Sequence, residues 1–65
     1  MCLSTVYKNR QEEACIAMKN VMRIECRDGQ VILTDLMDRS MVLQGQLWEA
    51  NLVDGFVIVK EEIPA

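Results

Sequence analysis

The sequence has no histidine, one proline, and one residue each of phenylalanine, tyrosine and tryptophan. Histidine is the side chain that most often serves as general acid or base near neutral pH, and here it is missing. The three glycines stand apart at 29, 45 and 55, so no glycine-rich phosphate loop can form. Adjacent carboxylates, Glu12/Glu13 and Glu61/Glu62, fall at expected element ends and read as solvated charge rather than as an acid–base pair. The chain is not expected to be an enzyme. Seven basic residues, unclustered, face ten acidic ones. A nucleic-acid surface combines a basic stripe with stacking aromatics, and an acidic balance repels phosphate at long range. Nucleic acid is therefore set aside. No apolar run approaches the roughly 18 residues of a membrane span, and no signal peptide is read at the start, so no membrane partner is expected.

What is present is short and apolar. The 65 residues are read as a single small domain, 1–65. A chain of this size buries only about 60% of its unfolded surface and is marginal alone, so it calls for a disulfide, a metal or a partner subunit. Three cysteines, an odd number, cannot all close into disulfides. The expectation is reduced thiols in a cytoplasmic protein, stabilised as a homodimer.

Alternation sets the fold class. In "MRIECRDGQVILTD", Met22, Ile24 and Cys26 alternate with Arg23, Glu25 and Arg27 before Asp28-Gly29 and then Val31-Ile32-Leu33. Asp-Gly between alternating runs is a strong hairpin signal, because both turn residues tolerate positive φ. A two-residue loop there sets Cys26 opposite Val31 and Ile24 opposite Leu33, with Met22 completing one apolar face. "WEANLVDGFVIVKE" repeats the pattern. A loop at Asp54-Gly55 would pair Leu52 with Val57, Ala50 with Val59, and Glu49 with Lys60 on the other face. Asp38-Arg39-Ser40 reads as a third turn, and Gly45 inside a strand-like run as a bulge or bend that lets a short sheet curl. Cys2 to Lys8 is read as the first strand, Asn9-Arg10-Gln11 as a polar loop, Ala14 to Met18 as a short strand and Lys19-Asn20 as a turn. A helix over residues 12–20 has some support in the spacing of Met18, Met22 and Cys26, but it would destroy the better-supported Asp-Gly hairpin. The expected fold is all-β, a small antiparallel barrel of five or six strands.

One cysteine differs chemically from the others. Cys2 stands beside the terminal amine, which makes the pair a candidate metal chelate. If Met1 is removed, amine and sulfur belong to one residue and close a five-membered ring. If Met1 stays, its amine, the Cys2 amide nitrogen and the Cys2 sulfur form two fused rings. Nitrogen with soft sulfur suits Ni(II) or copper better than Mg or Ca. Thiol and α-amine are both mostly protonated at pH 7, with pKa values of about 8.5 and 7.8. Releasing both protons costs about 3 kcal/mol, which a nickel–thiolate bond can exceed. One chain offers too few donors for a square-planar ion, and two chains complete it. Cys26 is read as core, Cys15 is given no metal role, and the five methionines are read as core filler. Trp48 is expected to anchor the core or a dimer seam.

The chain resembles the CooT family, small nickel-binding proteins associated with maturation of carbon monoxide dehydrogenase. The resemblance runs nearly end to end. It rests on Met1-Cys2-Leu3, on the length, on the Asp28-Gly29 hairpin followed by "VILTDLMD", and on the closing "ANLVDGFVIVKEE". It implies a small SH3-like or HypC-like barrel, a cytoplasmic homodimer, and a Ni(II) ligand at Cys2 with the amine of Met1 beside it. It further implies delivery of nickel to carbon monoxide dehydrogenase or its maturation factors. The HypC-like hydrogenase maturation proteins also open with Met-Cys, but a proline usually follows within a few residues, whereas the proline here is Pro64. A metal-free dimeric interaction module is the reading from another class. A thiol redox switch is weaker, because no basic residue lies near Cys2 in sequence to lower its pKa.

Overall fold

The computed structural model describes residues 3–61. Five strands form a closed ring: β1 (Ser4–Lys8), β2 (Ile16–Arg27), β3 (Gln30–Asp35), β4 (Ser40–Asn51) and β5 (Phe56–Glu61). The all-β barrel is as expected. Consecutive strands pair antiparallel, whereas β5 closes the ring on β1 in parallel, with Val6 beside Val57 and Tyr7 beside Ile58. A parallel seam follows from the strand count: in an up-and-down ring of odd number, first and last strands run the same way.

The first hairpin forms in the expected register. Asp28 and Gly29 both take positive φ, 47° and 76°, and Ile24 faces Leu33 while Cys26 faces Val31. Its apolar face differs from expectation at one end. A bulge between Val21 and Arg23 shifts the alternation by one residue, so Val21 enters the core and Met22 is left 48% exposed. Cys26, expected in the core, is exposed near the turn of the hairpin. Of the methionines, Met18 and Met41 pack against the core as expected, whereas Met37 is exposed.

The second hairpin is offset. Its turn has four residues, Leu52–Gly55, because Asn51 closes it with its side chain. Asn51 Oδ1 accepts from the N–H groups of Val53 (3.1 Å) and Asp54 (2.9 Å), and the Asn51 carbonyl accepts from Gly55 N–H at 2.9 Å. Ala50 therefore pairs with Val57 rather than Val59, and Lys60 lies opposite Gln46 rather than Glu49. A further shift between Leu47 and Glu49 places Trp48 in a bulge, 62% exposed, with Lys60 Nζ 5.3 Å from its ring centroid. Trp48 packs as a cation–π partner of Lys60, not as a core anchor.

Two other boundaries move. Residues 13–15 make one 3-10 turn, and β2 then runs without a break, so Lys19-Asn20 is strand, not turn. The chain bends there rather than ends. Asn20 takes φ 56°, the register against β1 slips twice, and the Asn20 carbonyl accepts Leu36 N–H at 2.9 Å. The β3–β4 turn lies at residues 36–39, with Ser40 already in β4. Asp35, 3% exposed, organises it: Oδ1 accepts from Met37 N–H and Arg39 N–H, and Oδ2 from Arg39 Nε, each at 2.9 Å.

The core is Val6, Val21, Val31, Leu33, Leu43, Val57 and Val59, all inward-facing. Each such side chain contributes about 1.5–3 kcal/mol by leaving water. Gly45 is the bend the sequence suggested: Gln44 is the last β4 residue paired to β3, and Gly45 the first paired to β5. A Cβ at Gly45 would stand 2.1 Å from the Lys60 carbonyl oxygen, so the two strands meet there only without a side chain.

Candidate functional site

The candidate ligands from the sequence, Cys2 and the amine of Met1, lie outside the described residues. The structure does describe the point where the chain enters the barrel behind them. Ser4 pairs with Val21 on one side, and Thr5 N–H donates to the Gly55 carbonyl at 2.9 Å on the other. The Leu3 carbonyl stands close against Gly55 as well, 3.5 Å from where a Cβ would project. The entry of β1 is thus held between the bulge of β2 and the Asn51-closed turn.

Beside that entry lies a groove of about 300 Å³, lined by Ser4, Met22, Ile24, Leu47 and Leu52 among others. It exists because β1 is short. With five residues against the twelve of β2, β1 leaves the outer half of β2 without a paired strand on one side among the described residues. Leu52, at the rim, is 72% exposed, and Val53 in the same turn is 96% exposed. Sequence reasoning did not find this groove; the signal was the difference in strand length, which the broken reading of residues 12–20 concealed.

Charge near the groove lies along β2, where Arg23 itself lines it. Arg23 Nη2 and Arg27 Nη2 reach the two oxygens of Glu25 at 3.1 and 2.6 Å. Elsewhere, the Arg39 backbone N–H donated to Asp35 holds its carboxyl below the usual carboxylate range. Burial opposes this, and the Arg39 guanidinium and Met37 N–H reinforce it. This aspartate has all its partners and serves the turn. Cys15 and Cys26 are free thiols on separate elements, Cys15 half-buried and Cys26 exposed. Among the described residues no three His, Cys, Asp or Glu side chains gather as a metal site. Among them, too, no helix is long and apolar enough to cross a membrane.

The family model of the CO dehydrogenase accessory protein CooT matches residues 1–60 of the 65. The chain belongs to the CooT family. No curated protein matches it. The CooT match takes in all of the barrel but Glu61 at the end of β5, together with Met1 and Cys2, and it favours CooT over the hydrogenase-maturation alternative. A CooT protein is accessory to carbon monoxide dehydrogenase, and this chain's role belongs to the maturation of that enzyme.

Proposed function

We propose that this chain is a nickel carrier for carbon monoxide dehydrogenase, not itself a catalyst, with Ni(II) as its cargo. The cargo is held by the Cys2 thiolate and backbone nitrogen, the Cys2 amine if Met1 is removed or the Met1 amine and Cys2 amide together if it stays, and shared between the two chains of a cytoplasmic homodimer. The observation that carries this reading is the CooT match over residues 1–60, which includes the Met1-Cys2 opening. The chemistry supports it. Thiolate sulfur with nitrogen forms five-membered chelate rings, and such a donor set favours Ni(II) over hard cations. Two nitrogens and two sulfurs from two chains make a complete four-coordinate set, and so small a barrel gains stability from a partner.

A carrier must bind tightly enough to exclude free metal and still release it. A ligand set at a chain terminus, divided between two copies, allows release by stepwise exchange of single donors to a recipient. The test is an absorbance titration of untagged protein with its natural N terminus under reducing conditions. A thiolate-to-nickel charge-transfer band should grow to one nickel per two chains and be absent in Cys2→Ala. An unchanged band in Cys2→Ala, or no band in the parent protein, would refute the assignment.

A further inference from the structure

Two Asp-Gly turns close hairpins in this barrel, and they are held in opposite ways. At Asp54-Gly55 both members of the dipeptide are tied. Asp54 Oδ2 accepts from Asn51 Nδ2 at 3.0 Å. Asp54 N–H donates to Asn51 Oδ1 and Gly55 N–H to the Asn51 carbonyl, each at 2.9 Å. At Asp28-Gly29 the bonds lie on either side of the reactive pair. Arg27 pairs with Gln30, and the Gly29 carbonyl accepts from Gly45 N–H at 2.8 Å. The peptide group between Asp28 and Gly29 has no backbone partner among the described residues, and the Asp28 carboxylate joins no ion pair among them. Both residues are exposed, and a Cβ at Gly29 would meet nothing within 4 Å.

The backbone of this turn is also close to a reactive shape. Asp28 φ is 47° and Gly29 φ is 76°. Two central residues at positive φ define one of the two favoured hairpin turns, and the other keeps positive φ at its first residue alone. Rotating the peptide plane between the central residues converts one into the other. That rotation changes Asp28 ψ and Gly29 φ and leaves the flanking ladder in place, and glycine has no side chain to oppose it. In the second turn Asp28 ψ is about −120°. The Gly29 nitrogen then eclipses the Asp28 Cα–Cβ bond, the arrangement from which a five-membered ring closes on Cγ.

We propose that Asp28 is the site at which this chain turns aspartate into isoaspartate, and that Asn51 protects Asp54 from the same reaction. The Gly29 nitrogen bonds to Asp28 Cγ, a Cγ–O bond breaks, and water leaves with the amide proton. The succinimide then takes up water at the former backbone carbonyl carbon of Asp28, whose bond to the Gly29 nitrogen breaks. The chain now runs through Cγ, with no change in mass and no oxidant or reductant consumed. One methylene has entered the backbone of a two-residue turn. It displaces the Gly29 carbonyl from Gly45 N–H and loosens the register of Cys26 on Val31. The reaction needs no metal, so it stands or falls apart from the nickel reading.

The test is incubation of the intact protein at neutral pH in oxygen-18 water, followed by tryptic mapping. Each passage through the succinimide leaves one heavy oxygen atom, and electron-transfer fragmentation tells isoaspartate from aspartate. Cleavage after Arg23 or Arg27, Arg39 and Lys60 puts the two sites on separate peptides. Label and isoaspartate should accumulate at Asp28 about tenfold faster than at Asp54, where hydrogen bonds must first be released. Incubated as free peptides, where no fold holds either dipeptide, the two sites should react at similar rates. Asn51→Ala should speed the reaction at Asp54 several-fold and leave Asp28 unchanged. Equal rates in the folded protein, faster reaction at Asp54 or no label at Asp28 would overturn the proposal. So would a difference that persists in the free peptides, or an Asp54 rate that Asn51→Ala does not move.

Discussion

Single residues carry more of this barrel than their number suggests. Asp35 is buried, with both carboxyl oxygens occupied and its pKa held down chiefly by the Arg39 N–H. A group whose folded pKa lies below its unfolded value of about 3.9 adds stability that is fully present above that pH. That stability is lost as the pH falls through the lower, folded value. The melting temperature should therefore drop below about pH 4, and Asp35→Asn should flatten that part of the profile while lowering stability at pH 7. Thermal melts from pH 2.5 to 7 check both. Gly45 makes a second, sharper case. Gly45→Ala drives a Cβ into the Lys60 carbonyl and should destabilise by about 3 kcal/mol. At Gly29, where a Cβ would meet nothing within 4 Å, Ala meets only the strain of positive φ and should cost about 1 kcal/mol. Urea melts of the two variants separate close approach from backbone strain. The bend at Gly45 was legible, because glycine within an apolar alternating run has few other uses. The place of Cys26 was not: alternation tells which face a residue takes, not whether the barrel wall continues over it.

At the scale of elements, turn chemistry decided what could be read. Asp28-Gly29 gave the right register because the turn needs only its own two residues, both at positive φ. Asp54-Gly55 misled because Asn51, three positions earlier, captures the N–H groups of Val53 and Asp54 and lengthens the turn. Asn51→Ala should then cost about 1 kcal/mol and weaken amide protection in Leu52–Gly55 first, as measured by hydrogen exchange. The long β2 was hidden for a related reason. Lys19-Asn20 looks like a turn, and Asn20 does take positive φ, but its carbonyl is held by Leu36 N–H and the strand bends on. Bulges at Val21–Arg23 and Leu47–Glu49 then move Met22 and Trp48 outward. Local sequence signals such places but does not say whether the strand stops or turns the corner of a barrel.

For the molecule as a whole, the fold class and family were legible from end to end, while the groove and the stretch of β2 that pairs only with β3 among the described residues were not. Those features arise from unequal strand lengths in a closed ring, a property of the assembly rather than of any segment. The same asymmetry leaves the entry of β1 beside an apolar groove and a stretch of β2 that, among the described residues, pairs only with β3. On the proposed function the metal is held by Cys2 and backbone nitrogen at the chain terminus, and no core residue takes part. Function and folding are then separable, and Cys2→Ala should leave the melting temperature of the metal-free protein unchanged while removing nickel binding. Native mass spectrometry of the untagged protein, with and without Cys2→Ala and with nickel added in steps, tests this most directly. The account predicts a species of two chains with one nickel ion, present for the parent sequence and missing for the variant. The same nickel-bearing species from both proteins would contradict it.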